Sequence, residues 1–110
     1  MADLPMIVLR VPARTESPTL DPVTVYIEQP REEAARVVIV CYDQAWVCAW
    51  GSMGTGPVEF IAGCNAEYVT DRMMQGRVRP ARHEHGYAGR VAKAVIEHCQ
   101  QLVQGVRDAG

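Results

Sequence analysis

RVVIVCYDQAWVCAWGSMG, residues 36–54, is the stretch whose reading decides the fold. Strand-forming apolar residues run up to Asp43-Gln44 and resume directly after it. Two such runs joined by a two-residue connection predict a β-hairpin, with Val37–Tyr42 as one strand and Ala45–Gly51 as the next. The expected register sets Tyr42 against Ala45, Cys41 against Trp46, Ile39 against Cys48 and Val37 against Trp50. Side chains alternate across a strand. Val37, Ile39, Cys41, Trp46, Cys48 and Trp50 therefore share one face, and Val38, Val40, Tyr42, Ala45, Val47 and Ala49 share the other with Arg36.

A sheet with one face in water alternates apolar with polar residues; this hairpin is apolar on both. The tryptophan face is the expected core, because each aromatic buries roughly 150–250 Å². The second face also requires cover, from a helix of this chain, from a second copy or from a partner. A helix of this chain is the plainer expectation, since monomers rarely expose large apolar patches. Asp43-Gln44 lacks the Gly or Asn that hairpin turns favour.

Outward from the hairpin, the N-terminal side supplies two more strands. Pro5–Val11 places Ile7, Leu9 and Val11 on one side and is stopped by Pro12. Residues 13–21 form a loop rich in Pro, Ser and Thr. Pro22–Glu28 alternates Val23, Val25 and Ile27 with Thr24, Tyr26 and Glu28, as befits an edge or half-exposed strand. Residues 29–34, with Pro30, form a polar link.

On the C-terminal side the pattern turns helical. GSMGTG (residues 51–56) has three glycines but neither the Lys-Ser/Thr of a phosphate-binding P-loop nor its βαβ setting, so a plain turn is expected. Pro57 suits the start of a helix over 57–63. Asn65 is the expected N-cap of a second helix over 65–75, with Tyr68, Val69 and Met73 on its apolar side and Gly76 as its stop. A third runs from about Glu84 to Val106 with a buried stripe of Tyr87, Val91, Val95, Leu102 and Val106. Four strands (about 5–51) followed by three helices (57–63, 65–75, 84–106) predict an α+β fold, an antiparallel four-stranded meander with helices packed on it. At 110 residues the chain is expected to form a single domain, 1–110.

No stretch spells a catalytic or metal motif. Its apolar runs fall short of a membrane span, and four irregularly spaced cysteines without an export signal predict free thiols in a reducing cytoplasm. Cys41 and Cys48 fall on the core face; Cys64, beside Asn65 at a helix junction, is the thiol to consider as a nucleophile, although a structural role is the plainer one. His83-x-His85 and His98-Cys99 do not match structural zinc spacings. Carboxylates are scattered, without a paired acid–base pattern. The expectation is a non-enzyme with no cofactor and no metal.

Charge supplies two candidate binding surfaces. Residues 1–71 hold four basic and ten acidic side chains, net −6, and residues 72–110 hold seven basic and three acidic, net +4. The acidic set Glu28, Glu32, Glu33, Asp43 and Glu59 suits a basic patch on a partner protein. The basic set Arg77, Arg79, Arg82, Arg90 and Lys93, with Arg72 nearby, suits an anion or nucleic acid. A sequence pI near 5.9 argues against a dedicated DNA binder.

CYDQAWVCAWGSMG, then PVEFIAGCNAEYVTDRMMQG, then YAGRVAKAV resembles a family of small, mostly uncharacterised phage and prophage proteins. The family pattern is CYG-x-AW, YWG-x-MG, a short helix with a Phe, a Cys-Asn/Asp-Ala-x-Tyr-Leu helix and a closing helix that begins with Tyr. Cys41, Tyr42, Ala45, Trp46, Trp50, Gly51, Met53 and Gly54 match its first parts, Phe60, Cys64, Asn65, Ala66 and Tyr68 its middle, and Tyr87 and Val91 its last. Asp43 departs from it at a turn glycine and Ala49 at a frequent Tyr. The resemblance implies a phage-encoded accessory protein in the host cytoplasm. It implies no activity; together with the net −6 of residues 1–71, the absence of a catalytic motif and an analogy of class with anti-CRISPR and other anti-defence proteins, it leads to the expectation of a non-catalytic inhibitor that occludes a nucleic-acid-binding surface of a CRISPR-Cas effector subunit. A nucleic-acid-binding regulator using residues 77–93 and a small thiol enzyme at Cys64 are the alternatives, and a homodimer through the second hairpin face is a further expectation.

Overall fold

The computed structural model describes residues 6–75 and 83–109, with the side chains of 107–109 set aside. Four strands, β1 (Ile7–Val11), β2 (Val23–Arg31), β3 (Ala34–Cys41) and β4 (Gln44–Trp50), form one antiparallel sheet in the order β1-β2-β3-β4. Three helices follow: α1 (Pro57–Ala62), α2 (Ala66–Met74) and α3 (Glu84–Ala109). This is the α+β meander the sequence predicts.

The hairpin differs from the expected register by one residue pair. Cys41 opposes Gln44, Ile39 opposes Trp46, Val37 opposes Cys48 and Ala35 opposes Trp50. The turn is therefore Tyr42-Asp43, and Tyr42 takes φ 56°, the positive φ that the favoured two-residue turns require at their first position. Every opposing pair changes and Tyr42 leaves its strand for the turn, yet no strand residue changes face, because the shift moves each partner by two and side-chain parity has period two.

Residues 29–34 are not a polar link. β2 runs to Arg31, Glu32-Glu33 make a tight turn and β3 starts at Ala34. Pro30 is accommodated because the β2–β3 register shifts between Glu28 and Arg31, and a proline without an N–H is tolerated at such an irregularity. β2 is an inner strand, half-exposed through its open face.

All three helices pack on the tryptophan face. Val25, Ile27, Val37, Ile39, Cys41, Trp46 and Cys48 are buried there against Ile61, Val69, Met73, Val91, Val95 and Cys99. Asn65 caps α2 as expected, its side chain accepting from the Tyr68 N–H at 2.8 Å. The expected stop at Gly76 lies outside the described residues. α3 is longer than the core it covers. Ala88, Val91, Ala92, Val95, Ile96 and Cys99 are buried, whereas Leu102 and Val106, expected in the stripe, are exposed. The periodicity continues past the last sheet residue that could meet it.

Candidate functional site

Two tryptophans on one strand hold three helices. The Trp50 ring meets Phe60 of α1 edge-on at 5.3 Å between centroids and lies tilted at 6.4 Å from Tyr68 of α2. The Trp50 Nε1–H donates to the Tyr68 hydroxyl at 2.8 Å. Trp46 meets Tyr87 of α3 edge-on at 5.6 Å, and the Tyr87 hydroxyl donates to the Cys41 carbonyl at 3.3 Å. Edge-on aromatic pairs add about 0.5–1.5 kcal/mol each beyond their burial. Of the positions that carry the sequence resemblance, Cys41, Trp46, Trp50, Phe60, Tyr68 and Tyr87 are thus those that clamp the helices to the sheet.

That clamp leaves the opposite face of the sheet bare. Val8 opposes Tyr26, Tyr26 opposes Val38 and Val38 opposes Val47, so four large side chains form one row across all four strands. Val8 is 42% exposed, Tyr26 39% and Val47 56%, with Val38 half-buried between them. On one side of this row lie Arg10, Thr24, Val40 and Ala45; on the other lie Glu28, Arg36 and Ala49. Among the described residues no helix covers this face, contrary to the plainer expectation. The three helices are all engaged by the tryptophans, and beside its one ring, the exposed Tyr26, the open face offers mainly β-branched and alanine side chains.

The acidic candidates do not converge on one spot. Glu28 reaches across to Arg36, its Oε1 accepting from Nη2 at 2.6 Å. Glu32 and Glu33 occupy the β2–β3 turn beyond that pair, and both are exposed. Asp43 sits at the opposite end of the sheet in the β3–β4 turn, beside Tyr42, which at 79% is the most exposed large apolar side chain among those described. Glu59 lies on the helical side, in the first turn of α1, where its carboxylate folds over Gly56 so closely that a Cβ there would collide with it. The glycine-rich loop is therefore closed by a carboxylate, the wrong charge for cradling phosphate. It is a strand-to-helix turn, with Met53 buried, its N–H donating to the Glu33 carbonyl at 2.8 Å.

Of the basic candidates, Arg77, Arg79 and Arg82 lie outside the described residues. Arg90 and Lys93 are placed one turn apart on α3 and border a cleft of about 490 Å³ whose other wall is the β1–β2 loop, with Thr15 and Ser17. The Arg90 guanidinium lies 5.7 Å over the Tyr87 ring, and Arg72 lies 5.6 Å over Tyr68. Arg14, in the same cleft, is paired with Glu97.

Burial disfavours the thiolate at every cysteine. Burial pushes Cys48 and Cys99 up to about 12 and raises Cys41 and Cys64 above the usual 9.0. The half-buried Cys64, the thiol singled out by sequence, donates to the Phe60 carbonyl at 3.3 Å instead of meeting a base. Helix α2 begins just beyond it, yet desolvation decides its protonation. His85 lies 3.7 Å from Asp71 on an exposed surface. Among the described residues no group of three or more His, Cys, Asp or Glu side chains is placed to hold a metal ion. No helix among them is long and apolar enough to cross a membrane.

Sequence reasoning missed Tyr42. Its signal was the very absence of a turn glycine: with Asp43-Gln44 a poor turn, a neighbouring residue had to accept the positive φ. Among protein-family models, that of a phage family, Phage_phiTE_072, matches residues 8–104. No curated protein and no solved structure matches the chain.

Proposed function

Because the chain belongs to this phage family, we propose that it is a phage-encoded, non-catalytic binding protein that inhibits a host defence protein, with a CRISPR-Cas effector subunit as its target in the host cytoplasm. The observation that carries this reading is the pair of exposed carboxylates on the two-residue turn at one end of the sheet, Glu32 and Glu33, beyond the Glu28–Arg36 pair. Surfaces that bind nucleic acid are basic and draw in phosphate. Carboxylates on such a turn complement the same surface and occlude it, and the encounter is accelerated by long-range attraction. Tyr42 and Asp43 offer a second contact of the aromatic-plus-acidic kind at the other end.

The test is binding to purified CRISPR effector complexes, with target DNA as competitor. The double variant Glu32→Lys/Glu33→Lys is expected to bind about tenfold more weakly, the equivalent of ~1.4 kcal/mol. Its binding should also depend less on salt, because attractive charges have been removed. Wild-type binding that target DNA does not compete away would defeat occlusion, and a reversed variant that binds unchanged would acquit the carboxylates.

A second reading, a nucleic-acid-binding accessory protein, is favoured by Arg90 and Lys93 standing together at the cleft beside the β1–β2 loop. A gel shift at low salt that disappears in Arg90→Glu/Lys93→Glu would support it; no shift at micromolar protein would remove it.

A further inference from the structure

We infer that the open face of the sheet is a homodimer interface, in which a second copy of this chain packs face to face across a two-fold axis that runs along the strands between β2 and β3. The reading rests on the self-complementarity of the face and is independent of the proposed target.

Stacked sheets pack aligned, with strand directions within about 30° of each other. A two-fold axis parallel to the strands preserves that alignment, sets β2 of one copy over β3 of its partner and β1 over β4, and keeps every row of residues at its own height. In an isologous contact each residue meets a second one whose copy meets the first in return. Applied to the observed register, the axis stacks Tyr26 of one copy on Val38 of the other, and Val8 on Val47. Thr24 meets Val40. In the next row the axis sets Glu28 over Arg36 and Arg36 over Glu28. The oppositely charged pair across the two inner strands of this face is placed so that the two-fold turns it into a closed ring of four alternating charges. No like charges are opposed among the described residues of the face: Arg10 faces Ala45.

An axis across the strands fails this test, since it would lay the Glu28–Arg36 row on the Thr24–Val40 row and leave both charges without a partner from the second copy. The face measures roughly 19 Å by 24 Å from strand spacing and rise. That is the scale of the largest patch a monomer ordinarily shows, which is often a functional one. The dimer would also bring both β2–β3 turns to the same end of the sandwich, so that Glu32 and Glu33 are displayed twice.

The experiment is light scattering during size exclusion, in reducing buffer, with circular dichroism to check folding. Wild type is expected at twice the chain mass of 12.2 kDa. Glu28→Arg alone and Arg36→Glu alone each oppose like charges across the axis and are expected to elute as monomers. An equimolar mixture of the two is expected to regain the doubled mass, because each supplies the charge the other lacks. Wild type that stays monomeric at every concentration, single variants that remain dimeric, or a mixture that fails to reassociate would each overturn the inference. A dimer built on the β4 edge would give the second outcome. Val47→Lys, at an exposed position, serves if either charge variant fails to fold: it is expected to abolish the dimer, and its persistence would refute the interface.

Discussion

The two faces of this sheet are made from the same four strands, yet one is the core of the protein and the other is open. The tryptophan face carries Val, Ile, Cys and Trp; the open face carries Val, Ala, Thr and Tyr with three charges. Apolar content separates them only in part: the charges lie in the outer rows, and the central row of Val8, Tyr26, Val38 and Val47 carries none. What completes the separation is reach: Trp46 and Trp50 each project a large ring that a helix can close around, and Tyr87, Phe60 and Tyr68 complete those contacts. The face that no such anchor closes is the one proposed above to receive a second copy.

The largest expected effect breaks this contrast if it is false. Trp46→Ala should destabilise the fold by about 3–5 kcal/mol, the range for truncating a buried aromatic. Val47→Ala, the next residue on the other face, should cost below about 0.5 kcal/mol in dilute protein, as for exposed positions. Urea unfolding of both variants decides it. Similar losses would mean that the open face is part of the folding core.

Alkaline pH sharpens the same contrast, since the deepest thiols all belong to the covered side. Cys48 and Cys99 are raised to about 12 from 9.0 by burial. A thiol whose pKa is raised by folding stays protonated in the native state while the unfolded chain loses its proton. Stability is therefore full below pH 9 and falls between 9 and about 12, by about 1.4 kcal/mol per pH unit for each such group. Cys48→Ala should lessen that slope in denaturation measured from about pH 8.5 to about pH 10.5, a window that spans the unfolded thiol's titration. An unchanged slope would mean that the thiol is wetter than its burial implies.

How far the sequence discloses all this depends on which physical rule governs each element. The composition of both faces was legible because parity survives a slipped register: Val37, Ile39, Cys41, Trp46, Cys48 and Trp50 stay together whichever pairs oppose. The Asn65 cap was legible because a cap is a local bond between neighbours in sequence. The turn was not, because the rule that glycine or asparagine takes positive φ offered no candidate, and Tyr42 accepts it. The length of β2 was hidden by Pro30, which reads as a break until the irregularity that excuses it is seen. Leu102 and Val106 were misread because periodicity reports a helix and cannot report where the sheet beneath it ends. That the tryptophan face is the core was legible from its two large rings; that the second face would lack a helix over it was not, because that is decided by contacts with helices far along the chain. Of the candidate sites, the acidic residues could be named but not gathered, since their grouping depends on which turn lies at which end.

The strained turn belongs to neither face, and it offers a smaller effect of opposite sign. Tyr42 is exposed and loses no burial on substitution, while its φ of 56° is unfavourable for a bulky residue. Tyr42→Gly should stabilise the fold by about 1 kcal/mol, a left-handed non-glycine residue costing ~1–3 kcal/mol and glycine returning part of it as unfolded-chain entropy. The same variant in the effector-binding assay separates two roles. A more stable protein that binds more weakly would identify the tyrosine as a contact retained at the expense of stability, whereas unchanged binding would leave the turn a purely structural irregularity.

The smallest effect is the most discriminating for the open face. Glu28 and Arg36 form an exposed cross-strand pair, with their side chains about half in water. Such a pair contributes about 0.2–1 kcal/mol to folding and less as salt rises. A double-mutant cycle with Glu28→Gln and Arg36→Gln in dilute protein should therefore return a coupling near the bottom of that range. Repeated at high protein concentration, where the two-fold ring would form, the coupling should grow, because whatever binds the native state adds to its stability by mass action. A coupling independent of concentration would confine the pair to its own sheet. One that grows would show that the charge on this face is arranged for a second copy, which is the property the tryptophan face, closed by its own helices, does not need.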